Sequence, residues 1–538
     1  MSENRLSAPY RTVPSLLEHK DKHVPNETFL HCGGKSISYA DFAEHTNRYA
    51  NGFSNEGVEP GDKVCLYLYN SVEYLYAYFG LAKIGAVAVP IDTRFVGTVL
   101  EHILAEVNPK ITLIDSQTVE EYNAIKNSAS FSSRNYYVGE GNSPQDLLHV
   151  DSLVERQDGE EVQSNHTPEE DDILSIIYIQ RKADQDPIGI SLPHFSYINT
   201  GWEVGNTIFG YKPTDKIYAP LPIYNIFTVQ LGLMPSLITE CEFILGDRFE
   251  PDSFWERVRC HEATVFLYLS RMLSVLFNHE KALDYSENSI ERAIGHGYGF
   301  KNDKQMIGGF KDRFNLNVFE CYGVTQAATI VTSNTSEQRK RGSVGKPVSY
   351  IEVKIADKKD RPVEDGETGE ILIRPLRPNC LMREYYNKPK LTNRDCRNQW
   401  IHTGDLGYRD KDGFLHFIAN EDNSIYRGSV GGRISTLEIE SVINSIPEVE
   451  ECSVVGITNF QHDDEMKAAV ELKDTDSLDE IDICKHCEKK LAHAKVPRYI
   501  EICDELPRSP TGKIRKDELD KIDTNDVWDR SIGYDLIR

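Results

Sequence analysis

Short apolar runs alternate with stretches of helical periodicity along the first part of the chain. Val64 to Leu68 is a compact apolar run and reads as a buried strand. Asn70 and Ser71 follow as capping residues, and Val72 to Ile84 then carries apolar side chains at helical spacing until Gly85 ends it. Ala86 to Ile91 and Ile111 to Asp115 repeat the strand signal, with a helical stretch around Val99 to Ala105 between them. This βαβαβ order predicts an α/β fold, a parallel sheet with helices on its faces. Asp151 to Asp172 is polar and acidic and reads as a surface connection rather than core. Near the other end, Asp410 to Ile418 reads as a hairpin with an Asp-Gly turn. Beyond it Leu437 to Ile446 is amphipathic and Cys452 to Ile457 is a strand, the start of a small α+β unit. The pattern divides the chain near residue 419, into a large domain over 1–418 and a small one over 419–538.

Length agrees with that division, since 538 residues exceed what one hydrophobic core usually organises. No apolar run reaches the roughly 18 residues of a membrane helix; Ala263 to Phe277 comes nearest and is cut by Arg271. Met1 to Arg5 has no apolar stretch behind its charges, so no secretory signal is expected. The eleven cysteines are scattered singly, except Cys484 and Cys487, as suits a reducing cytoplasm. Those two flank His486 in a helical stretch from Ile481 to Leu491 with no second metal-binding pair nearby, which argues against zinc. A formal charge of −25 repels polyanions and argues against a nucleic-acid partner.

Motifs then narrow the chemistry. Val496-Pro-Arg-Tyr499 and Leu506-Pro-Arg-Ser-Pro-Thr-Gly-Lys-Ile514 form a closing signature, preceded in order by Gly342 to Pro347, Gly366 to Ile371 and Trp400 to Leu406. Together with Ile37 to Phe42, Asn47 to Phe53, Gly57 to Val64 and Ala77 to Pro90, they span nearly the whole chain. In these motifs the chain resembles the adenylate-forming superfamily, which includes acyl-CoA synthetases, amino-acid adenylation domains and luciferases. Its last third is most similar to crotonobetaine/carnitine-CoA ligases and related small-acid ligases. The resemblance implies a large AMP-binding domain and a mobile lid that turns between forming an acyl-adenylate and forming a thioester. It implies ATP or AMP, Mg2+ and CoA as ligands and a small carboxylic acid as substrate, with no membrane span; a homo-oligomer stays open.

Residue by residue, Asp405 matches the carboxylate that accepts hydrogen bonds from the ribose, and Lys513 the lid lysine that stabilises charge as carboxylate attacks the α-phosphate. Tyr322 and Thr325 fall in the family's aromatic nucleotide motif, and Gly297 and Gly299, within Gly295 to Phe300, in its adenine-lining turn. Because ATP and CoA are anions, their sites must be locally basic; Arg339-Lys340-Arg341 and Lys513, Arg515 and Lys516 are the candidate runs.

The phosphate loop departs from the family. The pattern Y-T-S-G-T-T-G-x-P-K-G-V becomes Tyr178-Ile-Gln-Arg-Lys-Ala-Asp-Gln-Asp-Pro-Ile-Gly-Ile190, one residue longer, with only Pro187 and Gly189 matching clearly. Small residues let backbone N–H groups cradle phosphate oxygens. Here Ile188 takes the lysine position and Asp184 and Asp186 add negative charge, while Arg181 and Lys182 offer substitute cations. Gln326 replaces a metal-binding glutamate and keeps an oxygen ligand without its charge. Asn225 replaces a histidine, Asn420 an arginine and Tyr426 a lysine. Two readings stay open: a carboxylate-CoA ligase impaired or atypical in its use of ATP, or an inactive relative that binds nucleotide or acyl-CoA as a partner protein. An amino-acid adenylation domain is disfavoured, since Asn225 to Leu233 has no aspartate for a substrate ammonium.

Overall fold

Buried strands form where the apolar runs fall. A computed structural model describes residues 8–126, 133–144, 146–155, 157–162, 166–179, 186–279, 288–296, 304–420, 424–427, 432–458, 464–474, 478–491, 495–508, 514–519 and 527–530. Lys63–Tyr67, Val87–Pro90 and Ile111–Asp115 are strands, and the helices Val72–Lys83 and Gly97–Val107 separate them. The Ser71 hydroxyl caps the first helix by accepting from the Tyr74 amide, and Gly85 follows it at φ 71°. All three strands pair in parallel, as the βαβ order requires.

Among the described residues this sheet has eight strands. Beyond Val87–Pro90 it continues through Ile173–Ile179, Ile188–Pro193 and Glu384–Tyr385. The last two pairings are antiparallel, so Ile173–Ile179 and Ile188–Pro193 make a hairpin whose tip carries the altered loop. A second sheet of nine strands has a parallel centre that includes Lys216–Ala219, Val265–Leu269, Arg292–His296 and Asn317–Tyr322. A third, antiparallel sheet of four strands ends in Ile401–Arg409 and Leu415–Asn420. Apolar side chains from all three join one large core.

The C-terminal part has a core of its own. The strands Val449–Thr458, Asp464–Leu472, Tyr499–Cys503 and Trp528–Asp529 form one sheet, against which the helices Thr436–Ile443 and Glu480–Lys490 bury Ile439, Ile443, Ile483, Cys484 and Cys487. Both cysteines of the Cys-x-x-Cys pair are fully buried core residues, and burial pushes the Cys487 thiol up to about 12. The fold is therefore an α/β architecture of a large N-terminal domain and a small C-terminal domain with its own sheet.

One expectation needs correcting. Asp151 to Asp172 is not wholly a surface connection, because the turn of helix Asp151–Val154 buries Leu153 against the helix Tyr39–Asn55. A side chain at Gly52 would come within 2.5 Å of the Leu153 carbonyl, so glycine admits the close approach. Asn47 and Asn51 donate to the carbonyls of Gly159 and Glu160 and tie down the polar stretch that follows.

Lys467 is fully buried in the small domain, where its ammonium pairs with Glu501 at 2.6 Å and donates to the Leu519 carbonyl. Lys467→Ala strands the Glu501 carboxylate and should cost about 3 kcal/mol, whereas Lys467→Met fills the same volume and should recover part of it. Urea unfolding of both variants checks the order; equal loss would mean that the broken ion pair, not packing, sets the cost.

Candidate active site

Tyr322 ends the strand Asn317–Tyr322 with its ring fully buried, and its hydroxyl donates to Asp405 Oδ2 at 2.7 Å. Asp405 lies in Ile401–Arg409, opposite Asn420. Its backbone is set by the preceding residues. Gly404 takes φ 75°, its amide donates to Glu370, and the Asp405 amide donates to the Thr403 hydroxyl, which in turn donates to the Ile371 carbonyl. Tyr322 also packs on Phe417, with ring centroids 5.8 Å apart. The second and third sheets thus meet at a partly exposed carboxylate held at a fixed angle, an arrangement able to accept hydrogen bonds from a diol.

The turn after Tyr322 is tightly wound. Thr325, Gln326 and Ala327 form one 3-10 turn, and a side chain at Gly323 would overlap the Thr329 carbonyl at 1.4 Å. Gln326 is buried; its Nε2 donates to the Tyr385 hydroxyl at 3.2 Å and its backbone carbonyl accepts from the Met382 amide. Tyr385 pairs with Ile190 on the loop hairpin, so Gln326 does stand beside the structure that carries the altered loop.

At the neck of that hairpin Tyr178 faces Gly189 and Ile179 faces Ile188. A side chain at Gly189 would press on Ile176, Tyr178 and Tyr386 at 2.8 to 3.1 Å, so packing alone requires glycine there. Pro187 is buried, and Ile179 and Ile188 both pack against the large core. Asp186 is exposed and lies 3.7 Å from His102. The Tyr178 hydroxyl donates to Glu106, which also pairs with Lys388 at 2.8 Å. Arg181, Lys182 and Asp184 lie outside the described residues, as do Gly297, Gly299 and Lys513.

His296 is the last described residue before the glycine-rich turn. Its ring packs on Phe227 at 4.5 Å and its Nδ1 donates to the Cys321 carbonyl. Burial depresses it to about 4, so it is neutral at pH 7. Asn225 caps the helical turn Ile226–Thr228 by accepting from the Phe227 amide, a local structural task for the residue at the family's histidine position.

Two of the basic candidates serve structure. Lys340 is paired with Asp410 and Asp412, and Lys516 is tied to Thr436, Glu440 and the Val454 carbonyl inside the small domain. Sequence reasoning missed Tyr385 and Glu106, the partners of Gln326 and Tyr178. Both contacts are long-range in sequence, and neither residue sits in a motif that marks it.

Three sheets joined in one large domain, with a separate small domain built on its own sheet, match the adenylate-forming fold. Sequence comparison agrees: the model of the AMP-binding enzyme family matches residues 17–178 and 186–386, and that of its C-terminal domain matches 438–513. The chain belongs to the AMP-binding enzyme family. The match leaves out residues 179–185. Similar curated proteins include crotonobetaine/carnitine-CoA ligases of Salmonella paratyphi B, 29% identical over 91% of this chain and 95% of theirs, and of Salmonella typhimurium, equally similar. Among solved structures, an anthranilate CoA ligase in complex with anthranoyl-AMP superposes with a TM-score of 0.83 at 23% identity, covering 95% of this chain and 96% of that one. An O-succinylbenzoate CoA synthetase from Bacillus subtilis in complex with AMP gives 0.81 at 23% identity, covering 95% and 98%.

Two residues before Tyr322, Glu320 is buried beneath Arg339, beside a cavity of about 30 Å³. Burial pushes its carboxyl up to about 7 against the opposing pull of Arg339. A carboxyl raised on folding contributes stability in full below its unfolded value near 4.5, and that contribution is lost as pH rises through 7. Glu320→Gln should therefore be more stable than the parent at pH 8, by about 1 to 3 kcal/mol, with the advantage vanishing towards pH 5. Denaturation midpoints across that range test it; a constant difference would overturn the assignment.

Proposed function

We propose that the chain is an acyl-CoA ligase for a small carboxylic acid that has kept the ribose and adenine side of its nucleotide site and lost much of its capacity to use ATP. The carrying observation is the neck of the loop hairpin. Ile179 and Ile188 pair there across the strands and pack on the core, where the family loop supplies hydroxyls and a lysine to the phosphates. The Gln326 amide, bound to Tyr385, supports the same reading, since it leaves only an uncharged oxygen for Mg2+. When bound, that ion would neutralise phosphate charge.

In this reading Asp405, oriented by Tyr322, accepts from the ribose hydroxyls, while Thr325 and the turn holding Gly297 and Gly299 face the nucleotide. Lys513 supplies the lid cation, CoA is the acceptor, and the protein works in the cytoplasm. Arg181 and Lys182 are the substitute phosphate ligands in a chain that turns over. The same observations favour a second reading, an inactive relative that binds AMP or acyl-CoA as a partner protein, because both readings need the ribose side and only the first needs the phosphates.

Calorimetric titration separates a damaged phosphate side from an intact one. AMP should bind at least as tightly as magnesium-ATP, and Asp405→Ala should abolish AMP binding while the thermal transition is kept. ATP binding clearly tighter than AMP and dependent on magnesium would reject the proposal. Activity then distinguishes the two readings. Replacing 179–189 with the family's loop together with Gln326→Glu should raise acid-dependent pyrophosphate release, and Lys513→Ala in that background should remove most of the gain. Robust release by the unmodified chain would refute the impaired site, whereas a folded chimera with no gain would favour the inactive relative.

The domain division is proposed on the same footing. The segment from Asn420 to Gly432 joins the third sheet to the core of the small domain, and limited proteolysis should cut there first. Cleavage concentrated near residue 250 would overturn the boundary at 419.

A further inference from the structure

A cavity of about 390 Å³ opens behind the loop hairpin, at the opposite end of the eight-stranded sheet from the altered loop. It lies at the starts of three neighbouring parallel strands, marked by Lys63, Val87 and Ile173, and is closed on one side by Ser191 and by the segment Arg383 to Tyr386. From the starts of these strands the lining extends along Ile173–Ile179 as far as Ile176, and to Tyr386 beside it. Its size is that of a small-molecule site, and neither the nucleotide nor the lid has a role for it.

The wall is built, not incidental. Gly85 stands where a side chain would press on the His166 ring at 2.5 Å, and the Gly61 amide donates to the Gly85 carbonyl at 2.8 Å. His166 in turn pairs with Asp172 at 2.7 Å, and the Glu169 amide also donates to that carboxylate. Asp172 stays an ionised carboxylate: burial raises it, but the Glu169 amide and His166 outweigh that and hold it below its ordinary value. Of the remaining charges, Arg383 uses one donor on the Asp171 carbonyl, Glu384 is exposed beside it, and the Lys63 ammonium has no partner among the described residues. The rest of the lining is apolar: Val87, Ile173, Ile176 and Tyr386. Ser191, almost fully buried, adds a hydroxyl at the inner wall.

Free cationic donors at the rim and an apolar floor fit an anion with a short hydrophobic body. We propose that this cavity is a second, non-catalytic binding site for a small carboxylate, with the carboxylate group on Lys63 and Arg383 and its apolar part on Ile173, Ile176 and Tyr386. A ligand there touches the loop hairpin directly. Ile176 and Tyr386 are two of the three side chains that close around Gly189, and the Tyr386 amide donates to the Gly189 carbonyl. Occupancy of the cavity thus bears on the neck of the altered loop without entering the nucleotide site.

Fluorine NMR titration with 4-fluorobenzoate tests this on the full chain. The unmodified protein and Asp405→Ala should bind alike, because Asp405 lies in a different sheet and does not line the cavity. Lys63→Glu combined with Arg383→Ala should weaken binding about tenfold or more, as expected for loss of charge-assisted hydrogen bonds. Both changes are at the rim and should leave the thermal transition in place. Hydrogen exchange with and without the ligand gives a second measurement: peptides covering 60–63, 85–87, 172–176 and 383–386 should gain protection in the parent and not in the double variant. Three outcomes would overturn the proposal: no binding to the parent, affinity unchanged in the double variant, or binding lost in Asp405→Ala with protection confined to 322–326 and 403–406.

Discussion

The hydrogen bond from Tyr322 to Asp405 is the contact on which the candidate site depends. It joins the last parallel strand of the nine-stranded sheet to a strand of the antiparallel sheet, two units with no sequence continuity at that point. A phenol without a partner in so buried a place would carry the cost of an unmet donor, so the bond fixes the ring and the carboxylate together. The backbone leading to Asp405 is constrained from below by Glu370, Thr403 and the left-handed Gly404. The carboxylate is therefore already oriented before any ligand arrives, and orientation made in advance is what a weak ligand needs.

The loop hairpin is governed by a different physics. A loop that cradles phosphate relies on small residues whose amide groups approach the anion, and on cations that offset its charge. At the neck of this hairpin Ile179 lies opposite Ile188, both partly buried against the large core, and Pro187 is buried. Gly189 survives for a reason unrelated to phosphate, since Ile176, Tyr178 and Tyr386 leave no space for a side chain. Its match to the family pattern is therefore weak testimony to phosphate binding. The carboxylates of Glu106 and Asp186 stand at the same end of the hairpin, and in a chain of net charge −25 a polyphosphate approaches against the overall field.

The strands and helices of the first 115 residues were legible because each apolar run is bounded by a recognisable cap or glycine. Ser71 and Gly85 are examples, and both do what their residue types suggest. The order of motifs carried the family; the contact between Tyr322 and Asp405, which brings two of them together, was not legible in the sequence. What stayed hidden was contact at long range. Nothing in the local sequence of Tyr385 marks it as the partner of Gln326, and nothing around Glu106 marks it as the acceptor for Tyr178. Leu153 was misjudged for the same reason: one apolar residue in an acidic stretch has no periodicity, and its burial is decided by Gly52 about a hundred positions away.

Asn225 illustrates how a departure from a family pattern is to be weighed. Taken alone, the exchange of histidine for asparagine removes a functional group, yet in place the amide caps the turn that begins at Ile226 and so sets the direction of the chain carrying Phe227. Phe227 in turn packs on His296, whose Nδ1 is spent on the Cys321 carbonyl, one residue before Tyr322. Asn225 thus stands in the frame that packs around Tyr322, without a titratable ring. Ile188 shows the opposite case, because its apolar side chain is recruited into the core and a lysine there would have to leave that packing to reach a phosphate. Reversing the first change alone touches only a cap, whereas reversing the second must also rebuild the neck, so the departures of this hairpin from the family pattern are matters of packing as much as of charge.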